Sequence, residues 1–405
     1  MESWAAMKLG SDQMASLESG ILKEVRARPG ISRVELARVL QIAPSTVGNY
    51  VGRLIVEGFL LESRAAESEA GRPPTALRLR PEGGQFIGVD FEARNIMAMA
   101  VDFSDRPIKH AHRQIQKSDS VAEVIAKIEE AITEVLPAPR RRLLAIGVAV
   151  PGLIDPAAGV AINYKYINQW RNVPLVAPLA ERFGVPVYLE NNVRSMALAE
   201  LWFGQGRGLK DWFCLGIRSG IGAGIVTGGQ LLRGSDHRAG EVGRWLCPVS
   251  RQPAAQFFTP PELPSGGLEL QEVASVRAIL AAAEQARLKG ESVLSAKAAP
   301  LVFEDVVRAA GQQDREILAI VEFAAEMLGW AVAQLALALN PSRVILAGPL
   351  TLLGDTLLTP LRQRVGEILQ ASGAGVPLII HSNMGEYSGA MGAAALAVHE
   401  WKPAH

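Results

Sequence analysis

The sequence predicts an α/β protein in two parts, a small helical head followed by a large body. Three observations carry this. Before residue 80, apolar residues recur with helical spacing in short runs broken by Pro29-Gly30 and by the turn Gln41-Ile42-Ala43. From Phe86 onward, β-rich runs alternate with amphipathic helices, the pattern of sheets covered by helices. At 405 residues and 49% hydrophobic, the chain is long enough to bury more than one core.

The head is read first. Leu17, Ile21, Leu22 and Val25 form a helical stripe that Pro29-Gly30 stops. Ser32-Arg33-Val34-Glu35 is a capping box, with Ser32 as N-cap and Glu35 at the third helical position. The helix it opens ends near Leu40, and Pro44 fits the first position of a third helix that Gly58 closes. This is helix-turn-helix spacing. At about 100° per residue, Val47, Val51, Leu54 and Ile55 share one face of the third helix. Ser45, Thr46, Asn49, Tyr50 and Arg53 are assigned to the opposite face, where hydroxyl, amide, phenol and guanidinium groups suit base edges and phosphates.

Phe59-Leu60-Leu61 and Thr75–Leu79 are predicted strands flanking the polar loop Glu62–Pro74, which makes a wing. The loop ends in Gly71-Arg72-Pro73-Pro74, and an extended Gly-Arg-Pro segment can lay Arg72 in a narrow minor groove. Gly20 to Arg80 holds ten basic and six acidic side chains, so positive charge collects here.

In the body, strands are predicted at Phe86–Phe91, Ile96–Asp102, Leu143–Val150, Val185–Glu190, Phe213–Arg218, Gly224–Leu232, Arg343–Ala347 and Val376–Ile380. Helices are predicted at Val121–Leu136, Val193–Phe203, Gln271–Leu288, Ile317–Leu339 and Asp355–Leu369. The strand–turn–strand at Phe86 recurs at Phe213, which predicts two related lobes with a ligand cleft between them. Ser219-Gly220-Ile221-Gly222-Ala223-Gly224 fails as a dinucleotide fingerprint because β-structure follows it. Its glycines either bring amides close to phosphate or make a tight turn.

Composition excludes several classes. Lys plus Arg and Asp plus Glu are both 41, so the chain is neither a polycation nor acidic-tailed. Two cysteines, Cys214 and Cys247, rule out a disulfide framework and a four-thiolate zinc knuckle. Charged residues interrupt Met1–Gly20, unlike a signal peptide, and the apolar run Met327–Leu339 is too short to span a bilayer. The expectation is a cytoplasmic protein without membrane association.

The order of segments resembles the ROK family of bacterial sugar-responsive repressors and sugar kinases, from Leu17 to Val398. The carrying motifs are Ser32–Leu36, Gly71-Arg72-Pro73, Val150-Pro151-Gly152, Trp170–Leu175, Glu190-Asn191-Asn192 and Ala199–Gly204. Gly222–Val226, Ala239–Gly243, Asn340-Pro341 and Gly389–Ala395 complete the series. The resemblance implies a winged helix-turn-helix over residues 1–80 and a two-lobed, actin-like ATPase body over 81–405 that senses ligand and dimerises.

Departures from the family pattern point away from catalysis. Kinase members have Asn-Asp where this chain has Asn191-Asn192, and an amide has no lone pair basic enough to take the sugar proton. Their first phosphate loop, Asp-x-Gly-Gly-Thr, reads Asp90-Phe91-Glu92-Ala93-Arg94 here, and a second glycine motif reads Ala347-Gly348-Pro349. The family's zinc histidine is Arg244, and one thiol, Cys247, follows, so no metal and no cofactor is expected. The resemblance implies ligand contacts at Asn191, Asn192, Glu241, Arg244 and Gln271. Arg244 either recognises a phosphate or carboxylate on the ligand or pairs with Glu241.

The expectation is a homodimeric, or higher, DNA-operator-binding repressor that answers to a sugar, sugar phosphate or acid sugar. A DNA-tethered sugar kinase and a constitutive DNA binder controlled by a protein through Pro253–Pro264 are the alternatives.

Overall fold

The computed structural model describes residues 11–64, 75–92, 94–136, 142–164, 166–248, 258, 268–297 and 300–403. The head comprises α1 (Ser11–Ala27), α2 (Arg33–Leu40), α3 (Pro44–Val56) and the antiparallel pair β1 (Leu60–Arg64) and β2 (Thr75–Leu79). The cap forms reciprocally: the Ser32 amide donates to Glu35 at 2.9 Å and the Glu35 amide donates to Ser32 Oγ at 3.2 Å. Gln41 closes α2 in the left-handed region and turns the chain toward α3, which begins at Pro44. Arg33 then ties the unit together. Its guanidinium donates twice to the Glu62 carboxylate of β1 at 2.9 Å and once to the Gly48 carbonyl of α3 at 3.2 Å. Of the predicted wing loop, Glu62–Arg64 extend β1, while 65–74 with Arg72 lie outside the described residues, as does Pro253–Pro264 apart from Phe258.

The first lobe contains β3 (Gln85–Glu92), β4 (Asn95–Asp102), β5 (Pro107–Gln114), α4 (Val121–Val135) and β6 (Leu143–Val150). A small sheet of β7 (Leu153–Asp155), β8 (Val160–Asn163) and β9 (Arg171–Pro174) follows, then α5 (Val176–Phe183) and β10 (Val187–Asn191). Its main sheet runs β10-β6-β3-β4-β5, with β6 parallel to β3 and to β10, and β4 antiparallel to both its neighbours.

After α6 (Asn192–Trp202), the second lobe contains β11 (Trp212–Ile217), β12 (Ile221–Thr227), β13 (Gln230–Leu231), β14 (Leu246–Cys247) and β15 (Leu268–Glu269). It continues through α7 (Leu270–Ala274), α8 (Val276–Lys289), α9 (Phe303–Gly311), α10 (Arg315–Leu339) and β16 (Arg343–Ala347). The chain ends with α11 (Asp355–Ala371), β17 (Leu378–His381) and α12 (Ser388–Glu400). The sheet order β13-β12-β11-β16-β17 repeats the plan of the first lobe, parallel on one side of its central strand and antiparallel on the other. The recurrence read at Phe86 and Phe213 is thus a structural repeat.

Two helices lie between the sheets. Helix α12 packs on β3 and β6, α6 packs on β11 and β12, and the pair pack on each other. Gly392 permits that approach, because a Cβ there would lie 1.6 Å from the Ser195 carbonyl oxygen. Outside this pair, α4 and α5 cover the far face of the first sheet, and α7, α8, α10 and α11 bury the far face of the second. Head and body share one core. Ile21, Val25, Leu54 and Phe59 pack in the same cluster as Phe86, Val101, Phe103, Ala390 and Trp401.

Some elements differ from the sequence reading. The single helix expected at Gln271–Leu288 is two, because Ser275 breaks it and caps α8 by accepting from the Ala278 amide at 3.2 Å. Strand β5, helices α5, α9 and α12, and the small β7–β9 sheet were not predicted. Among the described residues, no helix is long and apolar enough to cross a membrane.

Candidate functional site

On α3, Ser45 and Asn49 are exposed and Thr46 is half-buried, while Val47, Val51 and Leu54 turn inward. The outward end of the helix thus presents hydroxyl and amide groups. Tyr50 corrects the sequence reading. It is only 8% exposed and belongs to the head core. It lies three residues after Val47 and four before Leu54, on the flank those residues bury. Arg53 stacks beside it, with its guanidinium carbon 5.7 Å from the Tyr50 ring centroid, and reaches the buried Glu18 carboxylate at 3.4 Å. That pairing sets the direction of the Arg53 side chain, which remains partly exposed.

The second candidate site is a cleft of about 380 Å³ between the lobes. The five residues assigned to it from sequence, Asn191, Asn192, Glu241, Arg244 and Gln271, all line it. The first lobe delivers Asn191 at the end of β10 and Asn192 at the start of α6, and the second delivers the rest from the segment after β13 and from α7.

Asn191 is largely committed to the fold. Its Oδ1 accepts from the Val193 and Arg194 amides as the N-cap of α6, and its Nδ2 donates to the Gly152 carbonyl at 3.1 Å. Asn192 follows with its side chain at the cleft wall and no side-chain hydrogen bond to the described residues. Gln271 donates to the Glu269 carboxylate at 2.5 Å. Arg244 is 61% exposed and stands 3.5 Å from Glu241, so the ion pair anticipated between them forms, loosely and in contact with solvent.

Behind these residues sits a buried charge cluster that sequence reading did not find. Glu190 accepts from Arg194 at 2.7 Å and from Arg233 at 2.8 Å, and Arg194 donates onward to the His237 carbonyl at 2.9 Å. Burial pushes the Glu190 carboxyl up, but the two guanidiniums outweigh it and hold the pKa below the usual value. The cluster fastens the start of α6 to the segment that leads into Glu241. Glu190 lies at the end of β10 and Arg194 sits in the first turn of α6, so the pair forms across the strand–helix junction, which no sequence period marks.

At the inner end of the cleft, Asp90 and Glu92 of β3 meet Arg218 at 2.7 and 2.9 Å. The Ser219 amide donates to Glu92 at 2.6 Å, and Tyr164 Oη lies 3.4 Å from Ser219 Oγ. Burial and then the neighbouring Glu92 push the Tyr164 phenol well up, so it stays protonated. Gly224 farther along serves packing: a Cβ there would lie 2.3 Å from the Ala197 side chain, so that residue lets α6 settle onto β12. Cys247 is buried, and its thiol is pushed up to about 12, far from a thiolate. Among the described residues, no cluster of His, Cys, Asp and Glu is arranged to hold a metal.

The ROK family model matches residues 86–400, and a winged helix-turn-helix DNA-binding model matches residues 15–60. A putative xylose repressor of Caldicellulosiruptor sp. (strain Rt8B.4) is 28% identical over 352 residues, covering 85% of this chain and 86% of its own. A glucokinase of Thermotoga maritima is 32% identical over 316 residues, covering 77% of this chain and 96% of its own. Among solved structures, a ROK family transcriptional regulator described as a homolog of the E. coli MLC protein superposes with a TM-score of 0.77. That superposition covers 96% of this chain and 97% of the other at 22% identity, a likeness of fold. The family match across the whole body, with the separate match over the head, means that this chain belongs to the ROK family and carries a winged helix-turn-helix in front of its ROK body.

Proposed function

We propose that this chain is a DNA-binding transcriptional repressor whose interlobe cleft takes a sugar or sugar-derived effector. The observation that carries the reading is the continuity of one hydrophobic core from the helix-turn-helix into the first lobe. A head joined to the body in this way moves with the lobe that lines the cleft, so ligand in the cleft can bias the head's placement on DNA.

Ser45, Thr46 and Asn49 are the base-reading candidates, at the end of α3 that enters a major groove. Arg53 is assigned to phosphate and Arg72 to the minor groove. The chain acts as a dimer reading two half-sites, as helix-turn-helix proteins commonly do. In the cleft, Asn192 and Glu241 supply the amide and carboxylate for sugar hydroxyls. Arg244 takes an anionic substituent where the effector has one. Asn191 contributes mainly by fixing the N-terminus of α6.

The body is not a working kinase in this reading. Asn192 cannot act as general base, and Glu92 stands where phosphate must enter. The test is fluorescence anisotropy on DNA flanking the chain's own gene, with scrambled competitor, at about 150 mM salt, where non-specific phosphate contacts are weakened. A parallel assay follows ATP-dependent phosphorylation of a hexose panel. Competitor-resistant binding without phosphorylation supports the proposal. Phosphorylation above background returns the chain to the kinases, and DNA binding that no sugar alters points to control by a protein partner.

A further inference from the structure

The joint between Asp90, Glu92 and Arg218 connects the two lobes at one point. Asp90 and Glu92 are two apart on β3, so their side chains leave the same face of the strand. Arg218 and Ser219 form the turn between β11 and β12, which closes through the Arg218 amide and the Gly220 carbonyl at 2.9 Å. The Arg218 guanidinium is largely buried between the two carboxylates. One Glu92 oxygen lies in ion-pair contact with Arg218 Nε, and the other accepts the Ser219 amide at 2.6 Å.

A backbone N–H that donates to one carboxylate oxygen, beside an arginine guanidinium in ion-pair contact with the other, is a combination that also suits a phosphate group. We propose that Arg218 Nε and the Ser219 amide form an oxyanion seat of the second lobe, and that Glu92 of the first lobe fills it as a built-in anion. Glu92 takes the place that a phosphate group bridging the lobes requires, and it keeps the lobes tied without any nucleotide.

Two features make the seat more than an ordinary ion pair. Glu92 lines the same cleft as Asn192 and Glu241, so the seat opens to a ligand-sized space. Asp90 pairs with Arg218 independently, so removing the Glu92 carboxylate leaves the guanidinium anchored, with the Ser219 N–H lacking its acceptor and the charge beside Nε unpaired. The seat's ligand class is then a small oxyanion such as formate, inorganic phosphate or tripolyphosphate.

The experiment is chemical rescue of the full chain. Melting of wild type, Glu92→Ala and the near-isosteric Glu92→Gln is followed in formate, phosphate or chloride at matched ionic strength. Tripolyphosphate binding is measured by calorimetry. The expected result is that formate and phosphate raise the melting temperature of Glu92→Ala beyond chloride, while wild type responds equally to all three. Tripolyphosphate binds Glu92→Ala at least about tenfold more tightly than wild type, with Glu92→Gln between them, because the amide keeps one acceptor oxygen. The assignment is overturned if both folded variants respond to these anions as wild type does, or if wild type binds tripolyphosphate as tightly as Glu92→Ala. Neither outcome depends on whether the head reads DNA.

Discussion

Arg26 of α1 and Asp105 of the β4–β5 turn meet at 2.8 Å in the seam between head and body, with their side chains only 8% and 13% exposed. Arg26 also donates to the Phe103 carbonyl at 3.1 Å and lies over the Phe103 ring. Around it, Phe59 of the head packs on Phe103 and Trp401 of the body, at 4.9 and 5.3 Å between ring centroids. The Arg142 guanidinium covers the other side of Phe59 at 4.2 Å. An ion pair and an aromatic cluster therefore fix the head's orientation on the first lobe.

Breaking that pair from one side leaves a charge buried without its partner. Arg26→Met is expected to destabilise the chain by about 3–5 kcal/mol, and adding Asp105→Leu recovers most of the loss. Urea denaturation of the two single variants and the double variant checks this. Additive losses would mean that the residues act separately.

The outward face of α3 gives a second expectation. Asn49→Ala lowers specific operator affinity by about 1–3 kcal/mol and leaves the melting temperature near wild type. Tyr50→Ala does the reverse first: a buried ring is lost from the head core, and stability falls by about 3–5 kcal/mol. Anisotropy and calorimetry on both variants separate the roles, and a melting loss in Asn49→Ala equal to that of Tyr50→Ala would remove the distinction.

Asp90 makes stability depend on pH. Burial pushes its carboxyl up from 3.8 to about 6 against the pull of Arg218. The folded chain therefore takes up this proton at a higher pH than the unfolded chain does. The contribution is full below about pH 4 and is lost as pH rises through about 6, on the order of 2–3 kcal/mol in all. Asp90→Asn removes that component, so the stability gap between variant and wild type changes between pH 7.5 and pH 5. Parallel pH profiles would show that Asp90 does not titrate in this range.

On the proposed reading, a carboxylate put at position 192, where the resemblance places the kinase base, should not make a kinase. Asn192→Asp is expected to leave ATP-dependent hexose phosphorylation at background, because Glu92 still fills the seat beside Arg218. A coupled ADP-release assay reads this directly, and turnover in the single variant would show that the amide alone silences the body.

The sequence exposed those parts of the fold that have a period or a cap. Ser32 and Glu35 announce α2, Pro44 announces α3, and the apolar runs at Phe86 and Phe213 mark the repeated lobes. Strand β5 escaped because it is a solvated edge with only Ala111 turned inward. Helix α12 escaped for the opposite reason: built largely of Ala and Gly and buried nearly all round, it shows no polar face. The five cleft residues came from motif order, not from spacing, since Asn191 and Gln271 lie 80 positions apart in the chain. The Glu92–Arg218 contact was invisible because its partners come from different lobes, and only the folded chain brings them together. Tyr50 was misread because a helical wheel gives angle but not how far the flanking helices reach around it.

The coupling of cleft to head is tested most directly by calorimetry of the sugar that alters operator binding, titrated into the free chain and into the chain saturated with operator DNA. Linkage requires that the sugar's affinity change by the same factor as the DNA's, within about 5- to 150-fold for a coupling of 1–3 kcal/mol. The account predicts weaker sugar binding to the operator-bound chain by that factor. Equal sugar affinities in the two titrations would contradict it, leaving head and body joined in one core but energetically independent.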